Sequence, residues 1–138
     1  MLTPDDLYKL AKSRFKEAKT LTADNKPDGA VYLCGYALEL MLKRKICLIL
    51  DWDGFPENNP EFKKENVNSF KSHDLETLLH LSGVKKQLYN NTSIEASWRI
   101  AKQWKSENRY RRIGEIKQAD AEATIEATRK VINWILSN

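Results

Sequence analysis

Glycine and proline are scarce in this chain, five and four among 138 residues. A fold built from many short strands needs a turn about every 8–12 residues, and most such turns rest on glycine, proline or asparagine. Their scarcity, beside abundant leucine, alanine, lysine and glutamate, argues against that class and for helices. Histidine is rarer still. His73 and His80 are the only two, and seven residues of helix separate them by about 10 Å, too far to share one metal ion. The two cysteines, Cys34 and Cys47, form no CxxC motif and fall on one expected helix. There, 13 residues rise about 20 Å, well past the roughly 7 Å limit for a bridge. We therefore expect no internal disulfide, two small core thiols, no metal site and no cofactor. No run approaches the roughly 18 apolar residues of a membrane span. The start "MLTPDDLYKL" lacks the basic segment and apolar run of a leader. The expected location is the cytoplasm, with no membrane partner.

What is present suits one all-α domain over residues 1–138, an antiparallel four- to five-helix up-and-down bundle with a long polar connection at about 51–71. Thr3 caps a first helix with Pro4 at its first position, and Leu7, Leu10, Ala11, Phe15 and Ala18 share one face to about Thr20. The second runs from near Asp28 to Ile49 and is apolar on most of its circumference, from Ala30 and Val31 to Leu48 and Ile49. Residues 51–70 are polar, proline-broken and aperiodic. Ser72 then caps a third helix, "HDLETLLHLS", stopped by Gly83. A short helix at 84–89 precedes a fourth from Ser93 to Ser106. The fifth spans Asp120 to Leu136, with Ile125, Val131, Ile132 and Ile135 toward the core.

Two features stand apart from this frame. On the second helix Tyr32, Tyr36, Glu39 and Lys43 recur at steps of four, three and four, forming one polar-tipped stripe. Either the stripe is a partly exposed edge with a helix-supporting Glu39–Lys43 pair, or it faces a cleft or subunit interface. The other feature is charge. Residues 99–117 hold seven basic residues against Glu107 and Glu115, a balance of +5 in a chain whose total is +4. Trp98, Trp104 and Tyr110 lie among or beside them, an arrangement suited to phosphate contact and base stacking. A solvated helix face with tryptophans in the core is the plainer alternative.

The segments "GYALELMLKRK" at 35–45, "KSHDLETLL" at 71–79 and the "W…W…SENRYR" block at 98–111 together resemble HEPN domains, the nucleotide-binding domains of higher eukaryotes and prokaryotes. The resemblance covers about three quarters of the chain and implies a helical bundle that forms a homodimer. It also implies a place among metal-independent endoribonucleases, toxin–antitoxin and phage-defence proteins, and inert or binding versions beside small nucleotidyltransferases. One departure matters. The family's ribonucleases carry an arginine followed after four to six residues by a histidine, which together stabilise phosphate charge and move protons. No histidine follows Arg109, Arg111 or Arg112 here, and neither His73 nor His80 has an arginine at that spacing before it.

A noncatalytic binding module for RNA, a nucleotide or a partner protein needs no missing residue and ranks first. An atypical endoribonuclease would use His73, Arg109 and Arg111, helped by Glu107 or Asp74. A partner subunit for a nucleotidyltransferase is the third reading. For the first, the expected ligand-binding set is Arg109, Tyr110, Arg111, Glu107, His73, Asp74, Glu39, Lys43 and Tyr36. Arg109 would turn into a cleft near the start of the HDL helix, Glu107 would orient a guanidinium, and Tyr110 would wall the pocket. His73, placed in the first turn of that helix, either packs and helps cap it or joins the site.

Overall fold

Thr3 and Asp6 begin the fold by exchanging hydrogen bonds. The Asp6 amide donates to Thr3 Oγ1 at 3.1 Å and the Thr3 amide donates to Asp6 Oδ2 at 3.0 Å, a reciprocal cap that satisfies two otherwise orphaned donors. A computed structural model of the chain describes residues 2–56, 72–103 and 113–138. Among these residues there are six helices and no strand: α1 (Pro4–Ala23), α2 (Pro27–Leu50), α3 (Leu75–Leu81), α4 (Lys85–Tyr89), α5 (Thr92–Ala101) and α6 (Gln118–Ser137). The all-α class expected from composition is observed, and no helix among the described residues is long and apolar enough to cross a membrane.

Three residues join α1 to α2, so the two fold back as a hairpin, and the Phe55 amide beyond α2 donates to the Leu2 carbonyl before α1 at 2.9 Å. Helix α6 starts beside the end of α1, where Gln118 Nε2 donates to the Thr22 carbonyl at 2.7 Å, and then packs along both α1 and α2. Helix α3 lies on α2, and α5 on α6. Leu38, Met41, Leu42 and Ile46 of α2 are fully buried, and the same continuous core takes in Leu7 of α1, Leu78 and Leu79 of α3, Leu88 of α4, Trp98 of α5 and Ile135 of α6. Burying each such side chain contributes about 1.5–3 kcal/mol before conformational entropy is counted. Cys34 and Cys47 are free and buried in α2. Burial pushes their thiols up to about 12 and about 11, which keeps them protonated and unreactive near neutrality.

Several boundaries differ from the sequence expectation. Asp74, not Ser72, caps α3: the Thr77 amide and hydroxyl donate to Asp74 Oδ2 at 3.2 and 2.7 Å, while Ser72 Oγ accepts from the Asp74 amide at 2.9 Å. His73 therefore precedes the helix instead of lying in its first turn. Helix α5 starts one residue early, capped by Asn91, and ends at Ala101 where Ser106 was expected; residues 104–106 lie outside the described set. Ile125 is half-buried, and Leu48 and Ile49 are exposed. The start of the polar connection is not loose: Phe55 is buried to 3% exposure, and Gly54 and Pro56 are buried beside it. The remainder of the connection, 57–71, lies outside the described residues.

Gly83 ends the α3 turn with φ of 78°, and a Cβ there would come within 3.1 Å of Ile49 Cδ1. Gly114 has φ of 92° with open space around it. Gly83→Ala is expected to cost about 2 kcal/mol or more and Gly114→Ala about 1 kcal/mol, since the left-handed backbone penalises both but only the first adds a packing conflict. Urea unfolding of the two variants measures the difference.

Candidate functional site

A carboxylate at the middle of a buried helix has to be neutralised, because removing it from water costs several kcal/mol. Glu39 is in that position, with its side chain 3% exposed. Lys43, one turn later and equally buried, places Nζ 3.5 Å from Glu39 Oε2. His73, 34 residues away, places Nδ1 2.7 Å from Glu39 Oε1. Phe55 closes the Lys43 side, with the ammonium 5.1 Å from its ring centroid, a distance at which the ring's negative face attracts the cation.

Opposite Lys43, an ionised Glu39 only accepts, so His73 donates through Nδ1–H and its Nε2 edge points away from the carboxylate. The imidazole is 60% exposed. A buried anion thus holds an exposed ring by one nitrogen and leaves the other unbound by that carboxylate. When the ring is protonated, Nε2–H can donate a hydrogen bond to an anion, and when it is neutral Nε2 can accept a proton from a hydroxyl.

Three residues singled out in the sequence, Glu39, Lys43 and His73, are brought together. The exposed-edge reading of the stripe fails for Glu39 and Lys43, because both are buried and oriented into the protein. Tyr36 stays at the surface, 37% exposed and outside the cluster, while Tyr32 is half-buried against the core. Asp74 caps α3 through Oδ2, which accepts from the Thr77 amide and hydroxyl. Arg109, Tyr110, Arg111 and Glu107 lie outside the described residues, as does Trp104. Sequence reasoning missed Phe55, whose signal was its place as an aromatic between Gly54 and Pro56 directly after the central helix.

It also missed Glu76. Trp98 is fully buried, as the packing alternative expected, and its Nε1–H donates to Glu76 Oε1 at 2.7 Å. The Tyr89 hydroxyl donates to the same oxygen, and Lys85 and Lys102 approach the carboxylate to 3.5 Å each. One acid on α3 therefore ties α4 and α5 to it. Two members of the basic run are engaged locally, Lys102 with Glu76 and Arg99 with Glu95.

Glu39→Ala is expected to destabilise the protein by about 3–5 kcal/mol, the cost of stripping a buried cation of its carboxylate. His73→Ala leaves one Glu39 oxygen without that partner but keeps the Lys43 pair, so it should cost less, about 1–3 kcal/mol, and urea denaturation of both variants checks the contrast. For Glu76, burial pushes the carboxyl up, but hydrogen bonds from Tyr89 and Trp98 and the charges of Lys102 and Lys85 hold it below its ordinary 4.5. The folded state thus binds that proton less tightly than the unfolded one. Its stabilising effect is full above the unfolded carboxylate value, about 4.3, and disappears as pH falls through the lower folded value. The urea midpoint of wild type should exceed that of Glu76→Gln at pH 6, with the gap closing below about pH 4.

Comparison of the chain with protein-family models, with curated proteins and with solved structures returned no match.

Proposed function

We propose that the protein is a HEPN-like, noncatalytic binding module that recognises a phosphate-bearing ligand, RNA or a nucleotide, on the face where His73 is exposed. The observation that carries this reading is the 2.7 Å contact between His73 and the buried Glu39, which fixes the orientation of a ring otherwise free in solvent. A side chain held in advance loses less conformational freedom when it meets a ligand. The basic segment 99–117 supports the same reading through composition, since arginines with an aromatic neighbour suit phosphate contact and stacking. In the HEPN-like arrangement the chain forms a homodimer of up-and-down bundles.

The same contact favours one second reading. An imidazole held by a carboxylate is a general base, and with Arg109 or Arg111 to stabilise phosphate charge it would support metal-independent attack by a ribose 2′-hydroxyl on the adjacent phosphate. That reaction also needs an acid to protonate the leaving 5′-oxygen. The binding reading requires only one oriented donor and a cationic segment, so it is preferred.

Binding of a short single-stranded RNA at two salt concentrations tests the proposal. Wild type should bind, more weakly at the higher salt because counterions compete for the phosphates. His73→Ala and Arg109→Ala should each weaken binding by about 1–3 kcal/mol, the range for a lost charge-assisted bond, and Arg112→Ala by less. Recovery of intact RNA after incubation in EDTA is expected, whereas 2′,3′-cyclic phosphate ends would establish the ribonuclease. No binding of RNA or nucleotide at low salt would refute the proposal in favour of a nucleotidyltransferase partner subunit.

A further inference from the structure

A groove of about 650 Å³ runs between α1 and α6, lined by none of the His73 cluster, with the exposed Leu136 and the half-buried Phe15 as its apolar surface above the buried Met41 and Ile132. Lys12, Lys16 and Lys19 line it from α1 and Arg129 from α6, and among the described residues no aspartate or glutamate lines it. The three lysines follow one another at steps of four and three residues, so they form a single ridge with charges spaced by about 6 and 4.5 Å along the axis. None of the three makes an ion pair among the described residues.

We infer that this groove docks an acidic amphipathic helix of a partner protein. The argument is complementarity of both kinds. An apolar trough lying between two helices accepts apolar anchors at helical spacing, and a ridge of lysines at steps of four and three matches carboxylates repeating at the same steps on a partner helix. Nucleic acid fits less well. Lys12 lies over the Tyr8 ring at 5.3 Å from its centroid, as does Arg44, and Lys19 lies over Phe15 at 5.4 Å. These aromatic faces, on which bases would stack, are already covered by the protein's own cations. A ribose–phosphate strand also offers nothing apolar to the exposed Leu136.

The test uses the full chain and a fluorescent peptide of about 16 residues, long enough to become helical on binding, with leucines on one face and glutamates flanking it at steps of four and three. Anisotropy should report saturable binding that weakens with salt. A peptide of the same composition in scrambled order should bind about tenfold or more weakly, and so should the ordered peptide with lysine in place of glutamate. The double variant Lys12→Glu/Lys16→Glu should invert the preference, losing the acidic peptide and gaining the basic one. Ser13→Trp, at an exposed position that lines the groove, should weaken the acidic peptide about fivefold or more by filling the trough. Circular dichroism confirms the fold of each variant, and His73→Ala should leave peptide binding unchanged, which separates this site from the one proposed above. The inference is overturned if the scrambled acidic peptide binds equally well, if neither peptide saturates, or if Lys12→Glu/Lys16→Glu abolishes RNA binding while leaving the acidic peptide unaffected.

Discussion

Glu39 sets the terms for everything packed around it. A carboxylate 3% exposed in the most buried helix is tolerated only if every oxygen finds a partner, and the two oxygens look in different directions. One is met by Lys43 on the same helix. The other is met from outside, by a residue the chain delivers only after leaving α2 and returning toward α3. The cation brought in to balance the acid must itself be covered, and Phe55 does this while its amide anchors the segment to Leu2. The α1–α2 hairpin, the exit from α2 and the approach to α3 therefore converge on one electrostatic requirement. The exposure of His73 follows as a by-product. Its ring is positioned by what the core needs, while its outer edge takes no part in that contact.

Helix α3 shows why such networks are necessary. Seven residues are too few to hold a helix by backbone hydrogen bonding alone, because nucleation is costly and little propagation follows. Leu75, Leu78 and Leu79 supply its burial, Asp74 satisfies its first donors, and Glu76 in its first turn gathers the polar edges of Trp98 and Tyr89. The two acid-centred clusters thus flank the start of one short helix. They differ in solvent exposure, Glu39 at 3% and Glu76 at 31%.

The helices themselves were readable because their signals are local. Thr3 before Pro4, the apolar face of α1 and the near-continuous apolar run of α2 each specify their own element, and the observed spans agree within a few residues. Boundaries set by competition between neighbouring polar residues were less legible: Ser72 and Asp74 are both good caps, and the one with Leu75 and Leu78 beginning directly after it prevailed. The stripe at Tyr36, Glu39 and Lys43 was visible in the sequence, but its direction was not. A Glu–Lys pair at i, i+4 reads the same on a surface and in a core, and only the third partner, 34 residues on, distinguishes them. Glu76 was less legible still, since an acid in a first helical turn already has a local explanation in the helix dipole, and its partners are 13 and 22 residues away.

The surface charge of α1 carries a similar lesson in the opposite sense. Several other helical cations are answered locally, Lys9 with Asp5, Arg99 with Glu95 and Arg129 with Glu126. Lys12, Lys16 and Lys19 have no acid three or four residues to either side; the residues at those spacings are Tyr8, Lys9, Ser13, Phe15, Thr20, Thr22, Ala23 and one another. Like charges at that spacing weaken a helix by a few tenths of a kcal/mol per pair, and the aromatic rings beneath Lys12 and Lys19 offset part of that repulsion. The field of these lysines is therefore directed outward over an apolar trough, where local pairing would have cancelled it. A helix that needed only solubility would be served equally well by alternating signs, so the uniform ridge is best understood through the charge of what lies against it.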